Sequence, residues 1–210
     1  MSREHVLHKV RTALGRSAGQ PVEEPPPVRL NVPEAGMEAR ISVFFERIEA
    51  LAGKTHRARS LEDARAYAES VIAGRRALAS NAAVLRESGI TSLAGIESGV
   101  TDGAQLRGLA ASVACGITGA DYALADTGTL VMLASPQEAR LISLLPPVHI
   151  AVIEHQRLLT GLNELLSILP HPAEQTSSMV LITGPSRTAD IEQILVRGVH
   201  GPGEIHVVVV

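Results

Sequence analysis

The sequence predicts an α/β domain in which helices cover a mostly parallel sheet. Three observations carry that expectation. Hydrophobic residues make up 45% of the chain but aromatic residues only 2%, so the core must be built from Leu, Ile, Val and Ala. Such an aliphatic interior suits a parallel sheet buried on both faces. From the middle of the chain onward, short β-branched runs alternate with helical segments across short loops, the order of a helix-covered parallel sheet. Finally, the stretch Ala114 to Leu133 (ACGITGADYALADTGTLVML) packs turn residues and hydroxyls between two apolar flanks. Its ends, Val113 to Thr118 and Thr129 to Leu133, read as buried strands joined by a polar bend.

Taken in order, Glu4 to Leu14 forms a short helix with Val6, Val10, Ala13 and Leu14 near one face. Gly15 to Ala35 then carries Pro21, Pro25, Pro26, Pro27 and Pro33 and little apolar periodicity, the composition of an extended linker. Residues 1–35 are therefore expected to be a helical arm and proline-rich linker, free to dock on a neighbouring subunit, and 36–210 the α/β domain. Met37 to Leu51 has helical period. Ser60 is placed to cap Leu61 to Ala73, which stops at Gly74. Arg76 to Ser80 is a brief strand and Ala82 to Glu87 a short helix. Thr101-Asp102-Gly103 precedes a helix over Ala104 to Ser112. Ser135 and Pro136 have the residue types of a helix start, predicting a helix over Pro136 to Leu144 that ends at Pro146-Pro147. His149 to Ile153 is a strand, Leu158 to Leu169 a helix, Ser178 to Thr183 a strand, Ala189 to Val196 a helix, and Glu204 to Val210 a final strand.

Composition narrows the function classes. The net charge is −3, with 19 Lys and Arg residues and no basic run longer than two, which argues against a nucleic-acid partner. Cys115 is the single cysteine, so neither an internal disulfide nor an iron–sulfur cluster ligated by about four thiolates can be built from these residues. No stretch of about 18 apolar residues occurs, so a membrane span is not expected and a cytoplasmic location is the default. The eight histidines show no metal-ligand spacing, and no metal or other cofactor is expected.

Two motifs hold the candidate site residues. In the central bend, Thr118, Gly119, Asp121, Asp126, Thr127, Gly128 and Thr129 could face a ligand, or could satisfy only their own backbone as a capped hairpin. Asp126 is the candidate functional carboxylate, since partial burial beside Ala125 would raise its proton affinity toward use as a base. Asp121 reads more as a turn residue. The second motif, Thr183 to Glu192 (TGPSRTADIE), reads as strand, glycine turn and helix N-terminus. With Ser186 or Thr188 as cap, Gly184 turning the chain and Arg187 adding charge, it would present NH groups to an anion. Against that, Asp190 and Glu192 already complement a helix dipole. The glycine-rich loop Gly198 to Gly203 follows; it would lie beside the central bend if both occupy one end of the sheet, with His200 a candidate for proton transfer. His149 and Cys115 read as core residues.

The segments ITGADYALADTGTLVML, LPPVHIAVI and ITGPSRTADIEQILVRGVHGPGEIHVVVV, in that order and spacing, resemble the LUD-domain family in its lactate-utilization (LutC/YkgG-like) branch. The resemblance covers roughly Met37 to Val210. It implies a three-layer α/β/α sandwich related to the ribose-phosphate isomerase, glucosamine-phosphate deaminase and CoA-transferase group. It also implies a role beside iron–sulfur partner proteins in oxidising lactate to pyruvate. Asp126 stands where the family usually has Glu, which keeps a carboxylate and shortens it by one methylene. With no cluster ligands and no dinucleotide fingerprint, the chain is expected to be an accessory or substrate-handling subunit that meets a small anionic metabolite. A free-standing enzyme on small phosphorylated or carboxylated metabolites, or a regulatory protein that binds an anion without chemistry, are the alternatives. Whether the chain is itself an enzyme, and whether it forms a homo-oligomer, stays open at this level.

Overall fold

A computed structural model describes residues 2–21, 35–188 and 196–210. The chain runs through α1 (Arg3–Ala13), α2 (Met37–Ala50), β1 (Lys54–Arg57), α3 (Leu61–Ile72), β2 (Ala77–Ala79), α4 (Ala83–Glu87), β3 (Ile96–Glu97), α5 (Gly103–Ser112) and β4 (Cys115–Gly119). It continues through β5 (Tyr122–Leu124), β6 (Thr129–Leu133), α6 (Arg140–Leu144), β7 (Val148–Ile153), β8 (Leu158–Leu159), α7 (Leu162–Ile168), α8 (Pro172–Gln175), β9 (Met179–Ile182), β10 (Arg187–Thr188), β11 (Val196–Arg197) and β12 (Glu204–Val209). Six strands form one sheet in the order β1-β12-β7-β4-β2-β3, every pairing parallel. A second sheet, β8-β5-β6-β9, lies on one face of it.

The aliphatic composition finds its reason here. Every residue of β4 and β7 is buried. On one face Cys115, Ile117, Ile150 and Val152 pack against Ala64, Ala68 and Ile72 of α3. On the other, Ala151, Ile153, Val207 and Val209 meet Ile41, Phe44 and Ile48 of α2, together with Ala123 and Leu130 of the second sheet. Burying each such large side chain contributes roughly 1.5–3 kcal/mol of gross stabilisation. Three layers result, helices on one face and helices with the small sheet on the other. Gly116 makes one contact possible that no other residue would allow. A Cβ there would sit 1.9 Å from the Ile142 carbonyl oxygen, so the glycine lets α6 lie directly on β4.

Local signals fixed the first half well. Ser60 caps α3 by accepting from the Asp63 N–H at 3.2 Å, and Asp102 caps α5 by accepting from Gln105 N–H at 2.8 Å. Three expectations need correction, and one strand, β1, was not anticipated. β1 (KTHR) has no apolar run because it is an edge strand, paired on one side only with β12. The expected hairpin from Val113 to Leu133 is instead two structures. β4 belongs to the large sheet, the chain crosses to the small sheet at Ala120-Asp121, and only β5 and β6 form the hairpin. The helices expected over 136–144 and 158–169 are shorter, because the chain before α6 is a turn and Leu158–Leu159 pairs with β5. Ser186 precedes a strand and not a helix, since Arg187–Thr188 is a strand paired antiparallel with Val196–Arg197. The helix expected over 189–196 otherwise lies outside the described residues, as does the proline run from 22 to 34.

Candidate functional site

The sheet order places a crevice. From β2 the chain moves outward to β3, whereas from β4 it moves the other way to β7. Loops leaving adjacent parallel strands in opposite directions open a gap at their C-terminal ends, the usual ligand position in open α/β sheets. A crevice of about 170 Å3 lies there, between Ala82 beyond β2 and Gly119–Asp121 at the end of β4, with Glu138, Glu154 and Arg157 completing it.

Its floor is Glu138, 7% exposed. The turn Ser135 to Glu138 delivers it: the Ser135 hydroxyl accepts from the Glu138 N–H at 3.0 Å, and Glu138 turns its side chain inward. The Ser80 hydroxyl, just past β2, donates to Glu138 Oε2 at 2.8 Å. Glu138 Oε1 has no partner among the described residues. Burial pushes the carboxyl up to about 8, with the nearby Asp121 charge adding to it and the Ser80 and Gly119 hydrogen bonds opposing it. At neutral pH Glu138 therefore carries its proton. With Ser80 donating to Oε2, the proton of the neutral acid lies on Oε1, where it can be donated.

The rim is ionic. Arg157 donates through Nε to Glu154 Oε2 at 3.0 Å and through Nη1 to the Asp121 carbonyl at 3.3 Å. Arg157 and Glu154 are about half exposed. Asp121 Oδ2 accepts the Leu133 N–H at 2.7 Å, and burial raises its carboxyl above the ordinary value against the pull of that bond and of Arg157. Gly119 is part of the wall, where a Cβ would come within 2.7 Å of Ala82 Cβ.

A larger hollow of about 770 Å3 lies at the C-terminal ends of β1 and β12. Arg57 and Glu38 in it are exposed and paired with each other, and it contains no buried polar atom lacking a partner among the described residues. The smaller crevice is the better-built site.

The residues expected to share one site fall into three places. Gly119 and Asp121 line the crevice. Thr118 is fully buried, with its hydroxyl 2.8 Å from His149 Nε2, and burial pulls the His149 imidazole down to about 4, so it is neutral. Asp126, Thr127 and Gly128 form the tip of the β5–β6 hairpin, at the other end of β5 from Asp121. There Asp126 is exposed, not partly buried, and Thr127 donates to it at 3.2 Å. A hydroxyl chain runs from Thr127 through Thr129 to Thr183, each step 2.8 Å. Gly184, Ser186 and His200 line a separate pocket of about 210 Å3 with Arg140 and Ser143. Arg187 donates to the Leu51 carbonyl and Thr188 lies in β10. The Gly198 to Gly203 loop joins this segment, not the central bend, through Ser186 N–H to Pro202 O and Gly203 N–H to Pro147 O. Glu138, Ser80, Glu154 and Arg157 were not anticipated. Among the described residues no three His, Cys, Asp or Glu side chains are grouped as metal ligands.

Asp126→Asn keeps the shape of an exposed side chain whose hydrogen bond Asn can replace. Thermal denaturation is expected to show a change within about 0.5 kcal/mol. A larger loss would show that the charge anchors the hairpin tip.

Fold and crevice together define an α/β protein with a small crevice over a buried acid at a topological switch point. The LUD domain model matches residues 41–210, and the chain belongs to that family. It is 41% identical over 106 residues to lactate utilization protein C of Halalkalibacterium halodurans, covering 49% of this chain and 46% of that protein. It is 39% identical over 108 residues to lactate utilization protein C of Exiguobacterium sp., covering 50% of this chain and 47% of that one. The matches thus span about half the length of these relatives. A crystal structure of a DUF162 family protein from Deinococcus radiodurans superposes with a TM-score of 0.65 at 15% identity, over 84% of this chain and 99% of that one. That likeness shows the shared three-layer α/β fold.

Proposed function

We propose that the chain is an accessory or substrate-handling subunit of a cytoplasmic lactate-oxidising system whose redox centres lie on iron–sulfur partner proteins. Its similarity to proteins named lactate utilization protein C carries this reading. Oxidising lactate to pyruvate removes two electrons and two protons, and the electrons need an acceptor. Cys115 is fully buried between sheet and helices, and burial raises its thiol, so it is a packing residue and not a cluster ligand. In this reading the electron acceptor belongs to another chain, while this one offers a crevice of the size of a small oxygenated molecule. No helix among the described residues is long and apolar enough to cross a membrane. In the same reading residues 1–35 form an arm: α1 buries none of its residues, and Val6 and Val10 in it and Leu14 just after it are exposed.

Affinity purification of the tagged chain from its native cell, with identification of the co-purified proteins and an assay of lactate oxidation, tests this. Iron–sulfur proteins are expected in the complex, with lactate oxidation lost when this chain is removed and restored when it is returned. Oxidation that proceeds at full rate without it would overturn the proposal.

A further inference from the structure

Glu138 is a buried acid whose Oε1 has no partner among the described residues, at the floor of a crevice placed by the sheet topology. Such an atom is costly unless something completes it. We propose that the crevice binds a small 2-hydroxy or 2-oxo carboxylate, its hydroxyl or carbonyl oxygen accepting from Glu138 Oε1 and its carboxylate meeting Arg157 at the rim. The size and carboxylate of this ligand rest on the lactate reading; the donor at the floor and the cation at the rim do not.

The chemistry of the lining selects this orientation. With Glu138 neutral, the charges facing it are Asp121 from the β4–β5 link and Glu154 and Arg157 from the segment after β7. The segment starting α4 contributes only Ala82, Ala83 and Val84. Two carboxylates against one guanidinium make the floor unfavourable for a negative charge, so the ligand's uncharged oxygen goes inward. Arg157 is about half exposed and holds Glu154 in a surface pair worth little, so exchanging that partner for a ligand carboxylate costs little. The guanidinium fork can take a carboxylate through two N–H donors. About 170 Å3 accommodates a molecule of a few heavy atoms.

Protonation of Glu138 then controls binding. Ionised, it has no hydrogen to donate and adds a third negative charge. Only the protonated fraction is competent, and above about 8 affinity should fall by about tenfold per pH unit.

Calorimetric titration of pyruvate and of lactate into the intact chain from pH 6 to 9.5 tests the site, with wild type, Glu138→Gln, Glu138→Met and Arg157→Gln compared. Wild type is expected to lose affinity with the stated slope above about pH 8. Glu138→Gln retains an N–H donor and should bind with no such pH dependence. Glu138→Met keeps the volume without a donor and should bind about 5- to 10-fold more weakly, the scale of one neutral hydrogen bond. Arg157→Gln should weaken binding at every pH. Melting curves of each variant confirm that it is folded. Absence of binding by the folded wild type, wild-type binding independent of pH, or Glu138→Gln as weak as Glu138→Met would overturn the proposal. Lactate oxidation that needs this chain yet is unchanged by Glu138→Met would also sink the crevice while leaving the lactate reading intact. Normal pyruvate binding by a chain that is dispensable for lactate oxidation would do the reverse.

Discussion

Gly116→Ala is expected to cost about 3 kcal/mol or more of stability, enough to unfold much of the population of a marginal domain. The added methyl group would meet the Ile142 carbonyl oxygen at 1.9 Å and the Ile142 carbonyl carbon and Pro146 Cγ at 3.0 Å. Two of those atoms are backbone, so no rotamer change relieves the clash. α6 would have to lift off β4, taking Ile142 out of its contacts with Leu78, Leu106 and Ala110. Gly161→Ala is the control. A Cβ there would come within 2.4 Å of Asp126 Oδ2, nominally another severe clash. That atom ends an exposed side chain which can rotate away, so the change should cost less than about 1 kcal/mol. Chemical denaturation of both variants separates them. Equal losses would mean that the close approach of α6 to β4 is not what Gly116 permits.

Stability should also peak in mildly acidic solution and fall before pH 8, for two buried groups of opposite sense. Glu138 rises from an ordinary 4.5 to about 8 in the folded state. Its contribution is fully present below 4.5 and is lost as pH climbs through 8, a total of about 5 kcal/mol at roughly 1.36 kcal/mol per pH unit. His149 falls from 6.5 to about 4, so its contribution is present above 6.5 and is lost as pH drops through 4, about 3 kcal/mol in all. Between about 4.5 and 6.5 the folded chain holds the Glu138 proton that the unfolded chain has released, while the unfolded chain holds the His149 proton that the folded chain refuses. The two slopes cancel there and give a plateau. From 6.5 to 8 only Glu138 titrates, and about 2 kcal/mol should be lost. Glu138→Gln removes the cancellation, so its stability should rise from about pH 4 to 6.5 and then stay flat past pH 8. Urea midpoints measured across this range read the effect directly; a stability that is flat from pH 6.5 to 8 in wild type contradicts a neutral Glu138.

How much of this was legible in the residues can be judged at Ser135. The run Ser135-Pro136-Gln137-Glu138 has the spacing of a capping box, in which Glu would reach back to the Ser backbone N–H. Half of that motif forms, since Ser135 Oγ takes the Glu138 N–H. Tertiary structure then decides the other half: the Glu138 side chain turns to Ser80, 58 residues away, and the helix waits until Arg140. Nothing local distinguishes those outcomes. Asp121 and Asp126 show a related limit. Five positions apart, they looked like one polar bend, yet Tyr122–Leu124 between them is a strand that puts them at opposite ends of β5. By contrast α2, α3, α5, β7 and β12 were readable, because each carries its own period or a buried aliphatic run. The LUD resemblance was readable for the same reason, as it rests on contiguous motifs. The crevice was not, because it is assembled from four separate segments by strand order alone.

The account turns on one proton. Selective 13C labelling of glutamate, with the Glu138 carboxyl resonance assigned by Glu138→Gln and followed from pH 3 to 10, measures it without reference to ligand or partner. A midpoint near 8, with the carboxyl still protonated at pH 7, is the predicted result. A midpoint near the ordinary 4.5 would mean that Glu138 is a carboxylate at neutral pH, and would contradict the donor at the floor of the crevice.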